Sequence, residues 1–281
     1  MTVAIVADSG SDLTPSQLLE TGIRQVPLSV SFGAQTYLSP DELAPEAFWE
    51  KVRAADSPFA HTAAPSVGLF RQAFEEAFAN GHEAVVCICL SEDLSATIKH
   101  ARMAREMLPG RPISVVDSRS ASMGLGTFAL RGAALAASGS DAEEICRQLA
   151  TLKARVGLYV GLDTLEYLRK GGRISHAKAA VGGLLSIKPI ITVEEGLVVV
   201  ADQPRTRSKA TERVLELMAA EPVTELHLLY SPPADIDGFR RALLARMPGP
   251  APRVVTAQII GPVIGAHVGP GACGGIMVRE V

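Results

Sequence analysis

Val3-Ala4-Ile5-Val6-Ala7-Asp8-Ser9-Gly10-Ser11-Asp12 opens with a short apolar run that stops on a polar turn. A run this short, closed by Asp, Ser and Gly, reads as a buried strand feeding a loop. The same design recurs twice downstream. Ala84 to Leu90 is an apolar run too short for a helix, and it leads into Ser91-Glu92-Asp93-Leu94-Ser95. Ile113 to Val116 ends at Asp117-Ser118. Helical patterns lie between and after these runs. Thr14-Pro15 opens a short helix, with Thr14 as N-cap and Pro15 in its first turn. Leu69, Phe70, Ala73, Phe74, Ala77 and Phe78 form one apolar stripe, with Ser66 placed to cap the helix and Gly81 to end it. Further helices are expected after Ser95 to about Leu108, near 121–137 and near 141–153.

Strand alternating with helix predicts an α/β fold, with a mainly parallel sheet flanked by helices. Ligands of such sheets bind outside the carboxyl ends of the strands. The Ser and Asp residues after the three runs therefore sit where a ligand is expected. Val26 to Phe32 alternates as a half-buried strand, and a short helix follows Pro45.

The second half has a different rhythm. Val156 to Val160 reads as a strand, and Asp163 to Arg169 as a helix stopped by Gly171-Gly172. Ile187 to Val193 and Leu197 to Ala201 flank Glu194-Glu195-Gly196, a hairpin signal. Mixed helices and strands follow, with a Pro-rich turn over Pro248 to Pro252. A chain of 281 residues exceeds what one core usually absorbs. The expected division is an N-terminal α/β domain over 1–152 and a C-terminal α+β domain over 153–281, with a ligand site at or near their interface.

Composition narrows the function. Net charge is -3 and aromatic content 5%, which argues against a nucleic-acid binder. Cys87 and Cys89 alternate with Val86, Ile88 and Leu90, so they read as core residues and not as a metal site. No apolar stretch reaches transmembrane length, and no charged leader precedes the first strand, so a cytoplasmic protein is expected.

Four motifs carry chemical interest. Gly269 to Gly274 spells GxGxxG, but it leads into a terminal strand, where a dinucleotide fingerprint must open a helix; a tight turn fits better. Thr62 precedes the strongest helix, and Ser95 begins the helix after the Ala84–Leu90 run. Hydroxyls at helix N-termini suit an anion. His267, in a Gly-rich apolar stretch, is either structural or a hydrogen-bond donor to a carboxylate. Arg169-Lys170-Gly171-Gly172-Arg173 and Arg205-Thr206-Arg207-Ser208-Lys209 are basic loops, open to solvent or to an acidic or phosphate-bearing partner. No paired nucleophile and base stands at a recognised spacing.

Together these segments resemble the DegV family of fatty-acid-binding proteins. Asp8-Ser9-Gly10-Ser11-Asp12-Leu13 is similar to its D-S-x-x-D-L. His61-Thr62-Ala63-Ala64-Pro65-Ser66 is similar to its T-S-x-P-S loop, and Leu90-Ser91-Glu92-Asp93-Leu94-Ser95-Ala96-Thr97 to L-S-x-x-L-S-G-T. Val116-Asp117-Ser118 resembles V-x-D-S, and Leu165 to Ile174 resembles L-x-x-L-x-K-G-G-R-I. Lys188-Pro189-Ile190 and Gly269-Pro270-Gly271-Ala272 resemble later signatures, so the matches run in order along the chain.

The resemblance implies a two-domain fold holding a long-chain, palmitate-like fatty acid between or within the domains, with no other cofactor and no metal. It implies a carboxylate site of Thr62 and Ser95 with His267 nearby and the backbone of Ala96 in reach. It implies a carrier, itself not an enzyme, that presents the acid to a partner fatty-acid kinase for acyl-phosphate formation. Arg173, Arg205 and Arg207 are then docking residues, and transient contact with a membrane enzyme is compatible. Two departures stand out: Ala63 replaces the second hydroxyl of T-S, and Ala96 replaces the glycine of S-G-T. The competing readings are an acyl or phosphate ester hydrolase and a lipid-sensing regulatory module.

Overall fold

In the computed structural model, which describes residues 2–174 and 187–280, the chain divides into two compact units. The first comprises Met1–Leu43 and Thr62–Lys153, the second Ala44–His61 and Ala154–Val281. In chain order the elements begin with β1 (Val3–Asp8), α1 (Pro15–Thr21), β2 (Arg24–Val26), β3 (Leu28–Phe32), β4 (Gln35–Ser39), α2 (Pro45–Arg53) and β5 (Ala60–Ala63). They continue with α3 (Val67–Ala79), β6 (Ala84–Cys89), α4 (Thr97–Glu106), β7 (Ile113–Asp117), α5 (Met123–Ala137) and α6 (Ala142–Leu152). Then follow β8 (Val156–Gly161), α7 (Glu166–Lys170), β9 (Ile190–Glu194), β10 (Leu197–Asp202) and α8 (Arg207–Met218). The last elements are β11 (Val223–Tyr230), α9 (Ile236–Leu244), β12 (Val254–Ile259), α10 (Pro262–Val268) and β13 (Cys273–Arg279).

The first unit is built on a parallel sheet in the order β2-β1-β6-β7. Every residue of β1 and β6 is buried, as strands covered on both faces require. Alternate side chains then serve opposite layers. Val6, Cys87 and Cys89 pack into one cluster with Phe70, Phe74, Ile98 and Ala101 of α3 and α4. Ile5 and Ile88 point the other way, toward Gly132 of α5. The cysteines are therefore core residues, as their alternation suggests. Capping follows the sequence closely. Thr14 and Gln17 form a capping box at α1, and the Ser66 hydroxyl accepts the Leu69 amide at α3.

The stretch read as one strand over Val26 to Phe32 is two. β2 joins the parallel sheet, while β3 pairs antiparallel with β4. Pro27 separates them; lacking an N–H, it cannot continue a ladder. The amide of Leu28 instead donates to the Ser9 hydroxyl at 2.9 Å.

The second unit holds a mixed sheet, order β10-β9-β8-β13-β11-β12, in which only β11 and β12 run parallel. α8 and α9 cover it through Val214, Leu215, Met218, Phe239 and Leu243 against Leu226, Leu228 and Met277. The sequence-order division assigns Ala44–His61 to the N-terminal half, yet this segment groups with the second unit. The reason lies in α2. Phe48 and Trp49 are wholly buried, and the Trp49 indole N–H donates to the Ile260 carbonyl at 2.7 Å. These two aromatic rings give the excursion its anchor.

The GxGxxG stretch follows a helix, α10, and precedes a strand, the reverse of a dinucleotide fingerprint. Its glycines answer to packing. Gly269 and Gly271 have φ of +73° and +78°. A Cβ on Gly274 would lie 2.0 Å from the Tyr159 carbonyl oxygen of the neighbouring strand. Among the described residues no helix is long and apolar enough to cross a membrane.

At Gly265 of α10 an added Cβ would come within 2.6 Å of Phe48 Cε1 and 2.8 Å of Trp49 Cζ2. Gly265→Ala is accordingly expected to destabilise the chain by about 1–3 kcal/mol through overpacking, measured by urea unfolding. Ala substitution at Gly68, where an added Cβ would meet the Ser66 hydroxyl at an unstrained 3.7 Å, is the contrasting control and should cost nothing comparable.

Candidate functional site

Three loops leave the carboxyl ends of β1, β6 and β7, and hydrogen bonds tie them together. Asp8, the last residue of β1, is wholly buried. Its Oδ1 accepts the Gly10 amide and its Oδ2 the Leu90 amide, each at 2.8 Å. The Ser91 amide donates to the Ser120 carbonyl at 2.9 Å, and the Ser122 amide to the Gly10 carbonyl at 2.8 Å. The Ser122 hydroxyl donates to Asp12. Asp12, Arg119 and Ser122 all have positive φ, of 53°, 50° and 55°. Non-glycine residues hold that backbone only where surroundings impose it. Burial, only partly offset by its two amide bonds, pushes the Asp8 carboxyl up to about 7.

Within this frame sits Ser95. Its amide donates to the Ser91 carbonyl at 3.2 Å, closing the turn. Its hydroxyl shares a 2.8 Å hydrogen bond with the Thr97 hydroxyl and accepts the Thr97 amide at 3.3 Å. The pair stands at the start of α4, where amide groups favour an anion. Ala96 is exposed with φ -71° and ψ 0°. Any L-residue adopts that conformation, so the backbone here does not demand glycine.

Thr62 is half-buried at the end of β5, four residues before the Ser66 cap of α3. His100, on α4, hydrogen-bonds the Pro65 carbonyl through Nδ1 at 2.7 Å. One imidazole thus links the helix that follows Ser95 to the loop that follows Thr62. Sequence reasoning missed His100. Its signal was its position, about one turn into the helix that Ser95 begins.

His267, Arg173, Arg205 and Arg207 belong to the second unit. His267 ends α10 beside Gly171; a Cβ there would lie 2.2 Å from His267 Nδ1. Burial, then the charges of Arg173 and His61, hold the imidazole down to about 4, so it is neutral near pH 7. Phe59 packs against His61 edge-on and against Tyr167 at 5.4 Å, with the Lys170 ammonium 5.1 Å from the Phe59 ring centre.

The basic residues differ from one another. Arg205 is exposed. Arg173 donates to the Gly171 carbonyl at 2.6 Å. Arg207 bridges Asp163 Oδ1 at 2.6 Å and the Gly271 carbonyl at 2.8 Å, and Lys188 meets the same carboxylate at 2.9 Å. Its guanidinium therefore fastens the start of α8 to the turn before β13.

Residues 2–280 match the model of the DegV family, whose members it describes as uncharacterised. The chain belongs to the DegV family. A DegV domain-containing protein of Deinococcus radiodurans is 36% identical over 287 residues, covering 98% of this chain and 97% of its own. Two solved DegV structures match the whole of this chain and of their own. One, from Thermus thermophilus and described as fatty-acid binding, has a TM-score of 0.91 and 32% identity. The other, a fatty acid binding protein from Bacillus subtilis, has a TM-score of 0.86 and 30% identity. The α/β architecture read from the sequence is thus the DegV fold.

The depressed His267 has a measurable consequence. Its ring protons should show no titration in NMR between pH 8 and 5, with a midpoint near 4. Because the folded value lies below the usual 6.5, keeping it neutral costs nothing above that pH. Stability is lost as pH falls from about 6.5 toward 4, and His267→Gln should abolish that share of the loss.

Proposed function

We propose that this DegV protein binds a long-chain fatty acid, its carboxylate held by the hydroxyls of Thr62 and Ser95, and presents it to a partner kinase that forms the acyl-phosphate. The observation that carries this reading is the hydroxyl pair of Ser95 and Thr97 at the start of α4, 2.8 Å apart, in a loop anchored to the carboxyl end of a parallel sheet. Whole-chain likeness to a fatty-acid-binding relative at a TM-score of 0.91 supports it.

The physical logic is one of divided labour. Burying a methylene contributes about 0.8 kcal/mol, so some fourteen of them give roughly 11 kcal/mol before binding costs. Chain burial then dominates affinity, and the headgroup site need only satisfy a carboxylate that would otherwise be very costly to bury. Neutral hydroxyls and helix amides do so without the strong grip of an arginine fork. In this reading His267, neutral near pH 7, is a further hydrogen-bond donor, and the Ala96 amide is in the headgroup set. The exposed Arg205, with Arg173, is the docking contact for the kinase; Arg207 contributes by holding the adjacent turn. The protein is a carrier, and the phosphoryl chemistry belongs to the partner.

Extracting lipid from the purified chain and identifying it by mass spectrometry tests the reading. One fatty acid per chain is expected. Ser95→Ala and Thr62→Val are each expected to weaken palmitate binding about tenfold, the worth of one charge-assisted hydrogen bond. Unchanged loading in both variants, or turnover of simple acyl or phosphate esters by the pure chain, would overturn it.

A further inference from the structure

We propose that Asp8 is a positioning residue for fatty-acid binding, setting the path of the Leu90–Ser95 loop through a carboxylate that anchors two amides at once. The proposal rests on the assignment of Ser95 to the headgroup site.

The geometry leaves little slack between Asp8 and Ser95. Asp8 Oδ2 takes the amide of Leu90, the first residue beyond β6, and Oδ1 is spent on Gly10. The next residue, Ser91, is wholly buried and receives the amides of Leu94 and Ser95 on its carbonyl at 3.0 and 3.2 Å. Its hydroxyl takes the Asp93 amide at 3.3 Å. Four amides of this loop are thereby held, that of Leu90 by the Asp8 carboxyl group and those of Asp93, Leu94 and Ser95 by the adjoining Ser91. The Gly10 side is equally tight, since a Cβ there would stand 2.8 Å from Asp8 Oδ1.

Packing alone does not explain an aspartate here. A buried carboxyl group is costly, and no lysine or arginine pairs with Asp8 among the described residues. An asparagine of the same shape would be cheaper to bury. It offers one acceptor, however, and would turn an NH₂ toward either Gly10 or Leu90, donor against donor. Only a carboxylate serves both amides.

That requirement makes the loop sensitive to protonation. A protonated Asp8 resembles asparagine, with one oxygen now a donor. The titratable groups facing it are Asp12, whose charge raises its affinity for a proton, and the buried Cys89 thiol, itself 3.8 Å from Cys87 and influenced by Asp117. With Asp8 pushed up to about 7, folding takes up a proton between the usual 3.8 and 7. The stability this proton contributes is present at low pH and lost as pH rises through 7. Binding runs the opposite way, since the two-amide anchor exists only in the ionised form.

The decisive experiment measures palmitate affinity of the full, delipidated chain at pH 8 and pH 6 for wild type, Asp8→Asn and Ser95→Ala, with apo thermal unfolding alongside. At pH 8, Asp8→Asn is expected to bind about tenfold more weakly than wild type, with an unfolding midpoint no lower. At pH 6 the ratio between the two should shrink toward one. Ionisation of the fatty acid affects both proteins equally and cancels in the ratio. Asp8→Asn binding as wild type does at pH 8, while Ser95→Ala fails, would overturn the positioning role and leave the headgroup reading intact. Wild-type binding by Ser95→Ala would overturn the headgroup reading, and the proposal with it. If Asp8→Asn does not fold, amide exchange of the wild type decides. Corrected for intrinsic rate, protection over Leu90–Ser95 should fall between pH 8 and pH 6; unchanged protection overturns the proposal.

Discussion

A carboxyl group that water cannot reach must be satisfied by the protein itself, and the first unit is arranged around doing so for Asp8. The cost of leaving such a group unpaired exceeds that of ordering a few loop residues. Two loops therefore converge on it, through the amides of Gly10 and Leu90. The third joins them by way of Ser91 and Ser122. The positive φ of Asp12, Arg119 and Ser122 is what this convergence demands of the backbone. What looks in the sequence like three separate polar turns is one connected knot. It sits on the carboxyl edge of the parallel sheet, where α/β proteins place their ligands.

The strands beneath that knot were legible because burial on both faces leaves no alternative to unbroken apolar runs, as in Val3 to Ala7 and Ala84 to Cys89. The helices were legible because a capping residue and an apolar stripe coincide, as at Ser66 with Phe70 and Phe74. β4 was not, since Gln35-Thr36-Tyr37-Leu38-Ser39 buries only its last residue, a serine, and carries no apolar alternation strong enough to see. The break at Pro27 was visible as a proline but not as a change of sheet. Among the candidate residues, Thr62, Ser95 and His267 stood out by residue type and context. The partner that each polar group chooses did not. Asp8 finds Leu90 across 82 residues, and Trp49 finds Ile260 across 211. Periodicity carries no information about pairings at that range.

The same limit explains the basic loops. Arg205 and Arg207 are two residues apart and equivalent to any count of charge, yet only Arg207 closes on Asp163 and Gly271. Gly271 suits that place on two counts, a φ of +78° and Asp163 and Arg207 side-chain atoms within 2.8 Å of where a Cβ would stand. A glycine that resembles part of a nucleotide-binding motif is in fact the space that an arginine fork needs. The segment Ala44–His61 makes a parallel point. Two aromatic side chains outweigh chain order in deciding which unit a stretch joins, since each buries far more apolar area than the small residues around it.

If affinity for a fatty acid comes mainly from the chain, the headgroup loops contribute discrimination more than strength. An arginine fork would hold any oxyanion tightly over a range of positions, because Coulombic attraction falls slowly with distance. Hydroxyls and amides act only at hydrogen-bond distance and angle. The proposed site of Thr62 and Ser95 would therefore be as selective as its loops are rigid. In the first unit, rigidity is supplied from below by Asp8 and Ser91, and from the side by the His100 link to Pro65 at 2.7 Å. A headgroup held this way is bound well enough to shield its charge, and released once a partner offers better geometry. On the proposed reading, a carrier that must surrender its ligand for chemistry elsewhere needs that balance, and neutral donors on a stiff frame would provide it.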